Sequence, residues 1–397
     1  MNEKLKEQEN KIVLLSILGI CFAFLGWGDV VSDFLYHEFS EVENIIWIIS
    51  VIGFLYSSFS TIANVMIVKI SNKNPKDVFL GLLKITSALA LVVGVSVFIH
   101  NVYLFSICYI LYIAFVELLS MYHFAFESST TEEGHFIRIE NKRKTIFKII
   151  TSVSVLISNF LIVHYASKGF FVTTIICSLI FIGTYFNLKS IVCKTIPKRK
   201  EKFLQKMNIR RYSKQIKLYA VSSMLTKFAL ANITIVFSIH FLKNNMQFDM
   251  LKDIKNYAIV FAIIGYFVVK KANIYNKEVM LSILIEMISA ITIFLASING
   301  YFLILVIGLQ MIHSLVELAG RFKILEKDTY KENMVEKNAI IDIGVYLSQA
   351  CASLLLLNLE FEKAIGLVGI LLVVAIILKM PMMENKKEDS EEREEKE

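Results

Sequence analysis

Long apolar stretches separated by short polar connections are the feature that most constrains how this chain can fold. Stretches such as 12–25 and 364–378 contain no charged residue, and runs of this kind fit lipid better than a water-facing surface. A soluble chain would carry about a quarter charged residues, whereas here the charged share is 19% and the hydrophobic share is 56%. The sequence therefore predicts a helical protein that crosses a membrane many times.

The length of the chain sets the number of crossings. A spanning helix and its connection take roughly 30 residues at 1.5 Å rise per residue, so 397 residues provide for about twelve spans. We predict an all-α membrane protein with twelve transmembrane helices, of which the fourth, eighth and eleventh are short or carry polar or charged residues. The predicted spans are 12–36, 44–69, 78–99, 102–123, 145–166, 170–189, 217–240, 256–270, 278–297, 301–321, 338–358 and 362–380.

A basic polar connection at mid-chain divides six predicted spans from six. The predicted domains are an N-terminal six-helix bundle, a basic cytoplasmic linker, a C-terminal six-helix bundle and a disordered acidic tail, at 1–189, 190–216, 217–382 and 383–397. Two interpretations of the linker remain open: a topological anchor between the bundles, or a short amphipathic helix on an anionic inner leaflet.

The Lys and Arg residues are concentrated in alternate loops. Of the 42 such residues, three lie more than two residues inside a span, namely Lys84, Lys148 and Lys227, and those at span ends are counted with the loops. If the N-terminus is cytoplasmic, only five fall in outer loops: Lys168, Lys243, Lys252, Lys255 and Lys363. This bias follows the positive-inside rule and predicts a multi-pass protein of the plasma membrane with both termini in the cytoplasm. It also accounts for the net charge of +7 without a nucleic-acid partner.

The two halves of the chain carry short similar segments at equivalent places. The segment FVELL at 115–119 matches LVELA at 315–319, and IENK at 139–142 is similar to VEKN at 335–338. Since each pair falls at corresponding spans of a six-plus-six arrangement, these matches predict a duplicated bundle whose halves are related about the membrane normal.

The connection between the second and third spans, 68–77, reads VKISNKNPKD, with Lys73, Lys76 and Asp77 near its end. The chain resembles the major facilitator superfamily in four features. These are this loop, the twelve predicted spans, the cytoplasmic termini and the long basic loop after the sixth span. It is more distantly similar to efflux pumps of low-GC Gram-positive bacteria. The superfamily's Gly-x-Leu-Ala-Asp-Arg-x-Gly-Arg-Arg-like loop keeps its basic positions at Lys73 and Lys76, whereas Val68 and Pro75 replace its glycines and Asn72 replaces its Asp. The resemblance implies a monomeric transporter with two rocking bundles, in which this loop takes part in the conformational change.

Ionisable side chains inside spans are the candidates for function, because each costs at least about 2.5–3.5 kcal/mol at mid-helix. Asp29 and Asp33 are four residues apart in the first span, so they share a helix face. Two carboxylates in apolar surroundings repel each other, which favours a proton on one of them; the alternative is that both are solvated in an outer vestibule. Lys227, near the middle of the seventh span, is predicted to pair with Asp33 or Asp29 as a conformational switch.

Four further candidates lie in spans four, nine and ten. Glu117 and Glu317 occupy matching places, and Arg321 at i+4 from Glu317 favours a local ion pair, so Glu117 is the better candidate for proton coupling or a substrate cavity. His313 lies at i−4 from Glu317, which is typical either of a proton relay or of an interhelical hydrogen bond. Glu286 is given a lesser role, because span nine is peripheral in the fold that the resemblance implies.

The sequence contains no pattern of enzyme chemistry. No HExxH, Cys/His cluster, GxSxG or P-loop occurs. The five Cys residues lack CxxC spacing and are interpreted as small buried hydrophobes. We therefore predict that the protein is not an enzyme and uses no cofactor and no metal site.

Three functions remain open. The first is a proton-coupled exporter of hydrophobic or cationic small molecules, because aromatic residues and a few acids would give a cavity suited to amphipathic or cationic cargo. The second is a lipid, glycolipid or peptide exporter or flippase on the same fold. The third is a non-transporting immunity or scaffold protein with a transporter-like fold. The expected partners are the small-molecule or amphipathic substrate, protons and membrane lipids.

Overall fold

The computed structural model describes residues 10, 13–26, 29–70, 75–130, 136–189, 212–271, 278–328 and 334–382, and all regular structure in these ranges is helical. The N-terminal half contains a 3₁₀ turn Leu15–Ile17 and helices α1 Leu18–Leu25, α2 Asp29–Glu38, α3 Ile45–Ile70, α4 Pro75–Val97, α5 Val102–Thr130 and α6 Phe136–Leu188. The C-terminal half contains α7 Lys214–Leu230, α8 Ile233–Lys243, α9 Phe248–Lys271, α10 Glu278–Ile298, a 3₁₀ turn Gly300–Phe302, α11 Leu303–Asp328, α12 Met334–Leu356 and α13 Phe361–Lys379. The predicted acidic tail, Lys73 and residues 190–211 of the predicted linker lie outside the described ranges.

Eight helical stretches among the described residues are long and apolar enough to cross a membrane. One of them, Ile149–Leu188, has 40 residues, and Ala166 interrupts it with φ 45° and ψ −124°. The chain turns tightly here, since a Cβ on Gly169 would lie 2.0 Å from the Leu161 carbonyl oxygen. The break falls at the predicted boundary between spans five and six. The protein is an all-α membrane protein, as predicted, whereas the number of twelve spans stays a prediction.

The first predicted span, 12–36, is not one continuous helix. Gly26 is extended, with φ −70° and ψ 150°, at the end of α1, while its amide still donates to the Phe22 carbonyl at 3.0 Å. A Cβ at this position would lie 2.2 Å from the Phe22 carbonyl oxygen, so only glycine fits. Asp29 therefore begins a new helix, α2, and Asp33 follows one turn later.

The N-terminal unit comprises Met1–Lys206 and Gln247–Lys252. In it α4 packs against α5 and α6, α1 packs against α6, and α3 packs against α5. Small residues lie where the helices approach one another closely. The hydroxyl oxygens of Ser87 and Ser178 are 2.8 Å apart, and a Cβ on Gly19 would lie 2.8 Å from Thr151 Oγ1. Small residues at helix contacts are typical of membrane bundles.

The C-terminal unit comprises Met207–Met246 and Asp253–Glu397. In it α7 packs against α12 and α13, and α10 packs against α11 and α13. The hydroxyl of Ser222 on α7 donates to the Ala375 carbonyl on α13 at 3.2 Å, and Ser348 on α12 donates to the Met224 carbonyl on α7 at 2.6 Å. Helix α4 is the third predicted span and contacts the fourth and the sixth. Helix α10 is the ninth predicted span and correspondingly contacts the tenth and the twelfth.

Helix α9 begins at Phe248, well before the predicted start of span eight at residue 256. Asp249 lies in its first turn, where a carboxylate stabilises the positive end of the helix dipole. Lys252 and Lys255, which we predicted in an outer loop, are helical and buried. That prediction was wrong because polarity was taken to exclude this stretch from a helix, whereas buried charges are tolerated once they find partners.

Candidate functional site

A buried carboxyl group with hydroxyl partners lies in the N-terminal unit. Glu117 on α5 is 3% exposed, and the Ser60 hydroxyl on α3 donates to its Oε2 at 2.7 Å. The Tyr56 hydroxyl, one turn earlier on α3, donates to the same carboxyl group. The face of α3 that carries Ser60 also buries Ser57 and Asn64, so serines at helical spacing bring polar groups to Glu117.

None of the described residues places a cation within ion-pair distance of Glu117. Taking an ionised carboxylate out of water costs several kcal/mol, and hydroxyl donors offset only part of that cost. The arrangement is therefore suited to hold a proton or to accept a cation from outside the protein.

A buried ion pair lies elsewhere in the same unit. Asp33 Oδ2 on α2 accepts a hydrogen bond from Lys252 Nζ at 2.8 Å, and both side chains are 1% exposed. The ammonium group also lies 5.2 Å from the ring centroid of Phe248, which adds a cation–π contact. Lys252 is a partner that sequence reasoning missed, because it was assigned to a loop.

Other predicted residues of the first and seventh spans are placed as follows. Asp29 is the first residue of α2, and its side chain lies outside the described set. Lys227 lies on α7 and is half-buried. The pairing of Lys227 with Asp33 or Asp29 stays a prediction.

The predicted loop 68–77 is shorter than expected. Helix α3 continues to Ile70 and α4 begins at Pro75, so Lys76 and Asp77 belong to the first turn of α4. Proline is favoured at the first position of a helix because an N–H group at that position would have no acceptor within the helix, so its absence costs nothing. Lys73 lies outside the described residues, and the role of these residues in a conformational change stays a prediction.

A cluster of charged and hydroxyl groups fills the interior of the C-terminal unit around Glu286, which is 0% exposed. Its Oε1 accepts hydrogen bonds from Lys379 Nζ on α13, from His313 Nε2 on α11 at 2.9 Å and from the Thr226 hydroxyl on α7 at 2.9 Å. The hydroxyl oxygen of Ser282, one turn before Glu286 on α10, lies 3.0 Å from Lys379 Nζ and 3.1 Å from His313 Nε2. Four helices thus converge on one carboxylate oxygen.

Glu317 lies next to this cluster on α11. Its Oε2 is 3.8 Å from His313 Nδ1, and its side chain is 13% exposed. Helix α11 is held against α7 here, since the Tyr219 hydroxyl donates to the backbone carbonyl of Glu317. Arg321, the partner we predicted for Glu317, has a side chain outside the described set, so that ion pair stays a prediction.

Sequence reasoning missed Lys379 and gave Glu286 too small a role. Lys379 was taken as the end of an apolar span, yet the buried residues of α13 recur at helical spacing and continue to it: Ala364, Val368, Leu372, Ala375, Ile376 and Lys379. The exposed residues of α13, such as Ile370 and Val373, are apolar as well, so the sequence alone does not indicate which way Lys379 faces. Glu286 was set aside because span nine was expected at the periphery, but α10 buries one polar face that includes Ser282 and Ser289.

Within the described parts of the chain, no three His, Cys, Asp or Glu side chains are grouped so that they could hold a metal ion. Of the Cys residues, Cys21 and Cys177 are buried, as interpreted from the sequence. Cys351 is exposed, and this part of the interpretation was wrong because a helix that faces lipid has no need to bury a small apolar side chain.

Two solved structures of a bacterial homologue of the iron transporter ferroportin in its outward-facing state are similar to this chain. One, with soaked iron, has a TM-score of 0.61 at 13% identity and covers 94% of this chain and 98% of that chain. The other has a TM-score of 0.63 at 13% identity and covers 95% of this chain and 99% of that chain. This is the major facilitator fold. At this identity the similarity shows the fold alone.

Comparisons of the sequence itself gave no match. No protein-family model matches the chain, and no curated protein matches it at a significant level.

Proposed function

We propose that this protein is a secondary-active transporter that exports hydrophobic or cationic small molecules by alternating access, coupled to protons. The observation that carries the proposal is the buried carboxyl group of Glu117, which has hydroxyl donors and no cation within reach among the described residues. The fold supports transport, because similar structures over nearly the whole chain belong to a homologue of an iron transporter.

One carboxyl group can couple two flows. In apolar surroundings Glu117 is stable either with a bound proton or beside a cationic cargo, because each removes the cost of an isolated negative charge. It cannot hold both at once, so binding of the cargo releases the proton, and binding of the proton releases the cargo. By linkage the two effects are equal in size. This competition is the chemistry that exchange of a proton for a cation requires.

The aromatic rings of α5 support a cationic or hydrophobic cargo. Phe105, Tyr109 and Tyr112 are buried on the same helix as Glu117, and the ring centroids of Phe105 and Tyr109 are 5.7 Å apart. The faces of aromatic rings attract cations, and their edges and faces pack well against apolar groups.

Iron is the cargo named for the similar structures, but the described residues of this chain give it little support. Sites for transition metals are built from several imidazole, thiolate or carboxylate ligands, and the described residues bring no three of them together. An organic cargo that needs one carboxylate and apolar surroundings fits Glu117 better.

Dye transport in inside-out membrane vesicles tests the proposal. An imposed pH gradient should drive uptake of a lipophilic cationic dye into vesicles that contain the wild-type protein. E117Q should reduce this uptake to the level of vesicles without the protein, because the amide binds neither a proton nor a cation. The matched control is E360Q, at an exposed glutamate whose ion-pair partner among the described residues is the exposed Lys363, and it should transport normally.

The outcomes separate the alternatives. Uptake by E117Q that equals the wild type would contradict the proposed role of Glu117. Absence of dye uptake combined with movement of labelled lipid between leaflets would favour a lipid exporter. Iron flux without dye uptake would favour the cargo of the similar structures.

A further inference from the structure

We propose that a groove between α4 and α6 of the N-terminal unit binds a phospholipid with a net negative headgroup, whose phosphate is held by Lys84 and Lys189. The groove lies at the end of the unit where α4 begins and α6 ends. In the predicted orientation this end lies in the cytoplasmic leaflet. The lipid site does not depend on the proposed transport, because it lies on the surface of the unit that faces lipid.

Lys84 lies on a face of α4 that is exposed to lipid. It is exposed itself and follows Lys76, the first residue of the apolar span Lys76–Val97, by eight residues, which is about 12 Å along the helix. The same face carries exposed apolar side chains, namely Ile85, Val92 and Val95. Side chains in a helix lean towards its N-terminus, so the Lys84 stem points towards the start of α4. An ammonium group is costly in hydrocarbon and therefore requires a headgroup within its reach.

The ring of Tyr185 on α6 holds the Lys84 ammonium group at the groove. Nζ lies 4.5 Å from the ring centroid, which is a cation–π contact. The two helices run antiparallel here, because Ser87, one turn further along α4, contacts Ser178, which precedes Tyr185 by two turns. The ring occupies one side of the ammonium group, and the N–H donors on its other sides can bind phosphate oxygens.

No carboxylate among the described residues lies within ion-pair distance of Lys84. The only acid of α4 is Asp77, seven residues or about 10 Å before Lys84, which is too far for an ion pair. An anion from outside the protein would compensate the ammonium charge where the described residues provide no acid.

Lys189 adds a second cation to the same groove. It directly follows α6, its amide donates to the Tyr185 carbonyl at 3.1 Å, and its side chain is exposed. It comes eleven residues, or three helical turns, after Ser178, so it lies on the side of α6 that faces α4. Basic residues between membrane helices on the cytoplasmic side are typical of sites for anionic lipid headgroups. Two cations at one groove therefore favour a headgroup with net negative charge over a zwitterionic one.

Gly81 leaves room beside the Lys84 side chain. It lies one turn before Lys84 on the exposed face of α4, over which the lysine stem leans. A Cβ at Gly81 would meet no atom within 4 Å, so the space next to the stem is open. A larger side chain here would occupy the place of the headgroup without changing any charge.

Native mass spectrometry of the full-length, delipidated protein in detergent tests the site. Phosphatidylglycerol and phosphatidylcholine with the same acyl chains are titrated separately, and the dissociation constant of the first bound lipid is measured for each. The wild type should bind phosphatidylglycerol more tightly by about fivefold or more, since each Lys near a membrane surface contributes about this factor for an anionic lipid. Because the measurement requires neither a membrane orientation nor transport, its result is independent of the vesicle assay.

Charge and steric variants locate the site. K84M and K189M should each remove most of the preference for phosphatidylglycerol, and G81L should weaken it with all charges kept. K84R keeps the cation and should keep the preference. The matched control is K168M, because Lys168 is also exposed on α6 but lies 17 residues or about 25 Å from Tyr185. This variant should bind both lipids like the wild type.

Equal affinity of the wild type for the two lipids would overturn the proposal, because it would show only a shell of unselected lipid. A wild-type preference in K84M, K189M or G81L would overturn it as well. So would a loss in K168M equal to that in K84M, since that result would indicate attraction by net charge and not a site. The substituted positions are all exposed, and thermal unfolding at the wild-type temperature checks that each variant is folded.

Discussion

Two buried glutamates of this protein have opposite surroundings. Glu286 shares one oxygen with an ammonium, an imidazole and a hydroxyl group, whereas Glu117 has hydroxyl groups alone among the described residues. A compensated carboxylate is held in its ionised form, and an uncompensated one takes up a proton or a cation. The two sites are therefore expected to respond differently when their charge is removed.

Removal of the ammonium of Lys379 should be strongly destabilising. K379M keeps most of the side-chain volume but leaves Glu286 buried without its cation, which costs about 3–5 kcal/mol. E286Q/K379M should recover most of this loss, because no buried charge is then left unpaired. Thermal unfolding of the purified protein in one detergent measures the series.

Lys363, on the same helix α13, provides the control for Lys379. It pairs with Glu360 while the two side chains are 67% and 70% exposed, so K363M should change stability by only about 0–1 kcal/mol. Equal stability of K379M and K363M would show that the Lys379–Glu286 pair is not needed for the fold.

At the scale of elements, close contact between α4 and α6 depends on a small residue. A Cβ on Gly94 of α4 would lie 2.1 Å from Thr174 Oγ1 and 2.9 Å from the ring of Phe171, both on α6. G94A should force these helices apart and destabilise the protein by about 1–3 kcal/mol. The measurement is the same thermal unfolding.

Gly81 is the matched position for Gly94. It lies on the same helix α4, and a Cβ there would meet no atom within 4 Å. G81A should therefore be neutral or stabilising by up to about 1 kcal/mol, since alanine is the better helix former. If G94A and G81A unfold at the same temperature, the contact between α4 and α6 does not depend on a glycine at position 94.

The helices were largely predictable from apolar length, and their interruptions only partly so. Gly26 lies in the segment Gly-Trp-Gly, which signals a possible break. Ala166 adopts a positive φ that alanine disfavours, so the sequence predicts the break between spans five and six but not the residue that makes it. The start of α9 was missed because a polar stretch became helical through tertiary partners. Propensity and hydropathy are local, and a distant partner such as Asp33 for Lys252 overrides them.

At the scale of the whole molecule, the sequence predicts duplicated halves but not the charge pairs. Short matches such as 115–119 with 315–319 predict two equivalent halves, and the contacts of the third span with the fourth and sixth and of the ninth with the tenth and twelfth are consistent with this prediction. The pair Glu286–Lys379 joins residues 93 positions apart, and the sequence offers no rule that couples them. Helix α13 is apolar on its buried and its exposed sides alike, so hydropathy does not indicate that Lys379 points inwards.

The orientation of the chain in the membrane can be tested by labelling cysteines introduced into its loops. The excess of Lys and Arg in alternate loops predicts that both termini are cytoplasmic, so the connection between α2 and α3 should lie outside and the one between α3 and α4 inside. In a full-length background without native Cys, E43C should react with a membrane-impermeant maleimide in intact cells. D77C should react only in inside-out vesicles.

Both positions are exposed, so a lack of reaction reports sidedness and not burial. The reverse labelling pattern would show that the protein has the opposite orientation in the membrane. The proposed export would persist, because a protein that exchanges a proton for its cargo moves the cargo against the proton flux in either orientation. Labelling of both positions from the same side would instead mean that α3 does not cross the membrane. That result is not expected, because about 20 apolar residues suffice to span a membrane and α3 is apolar and 26 residues long.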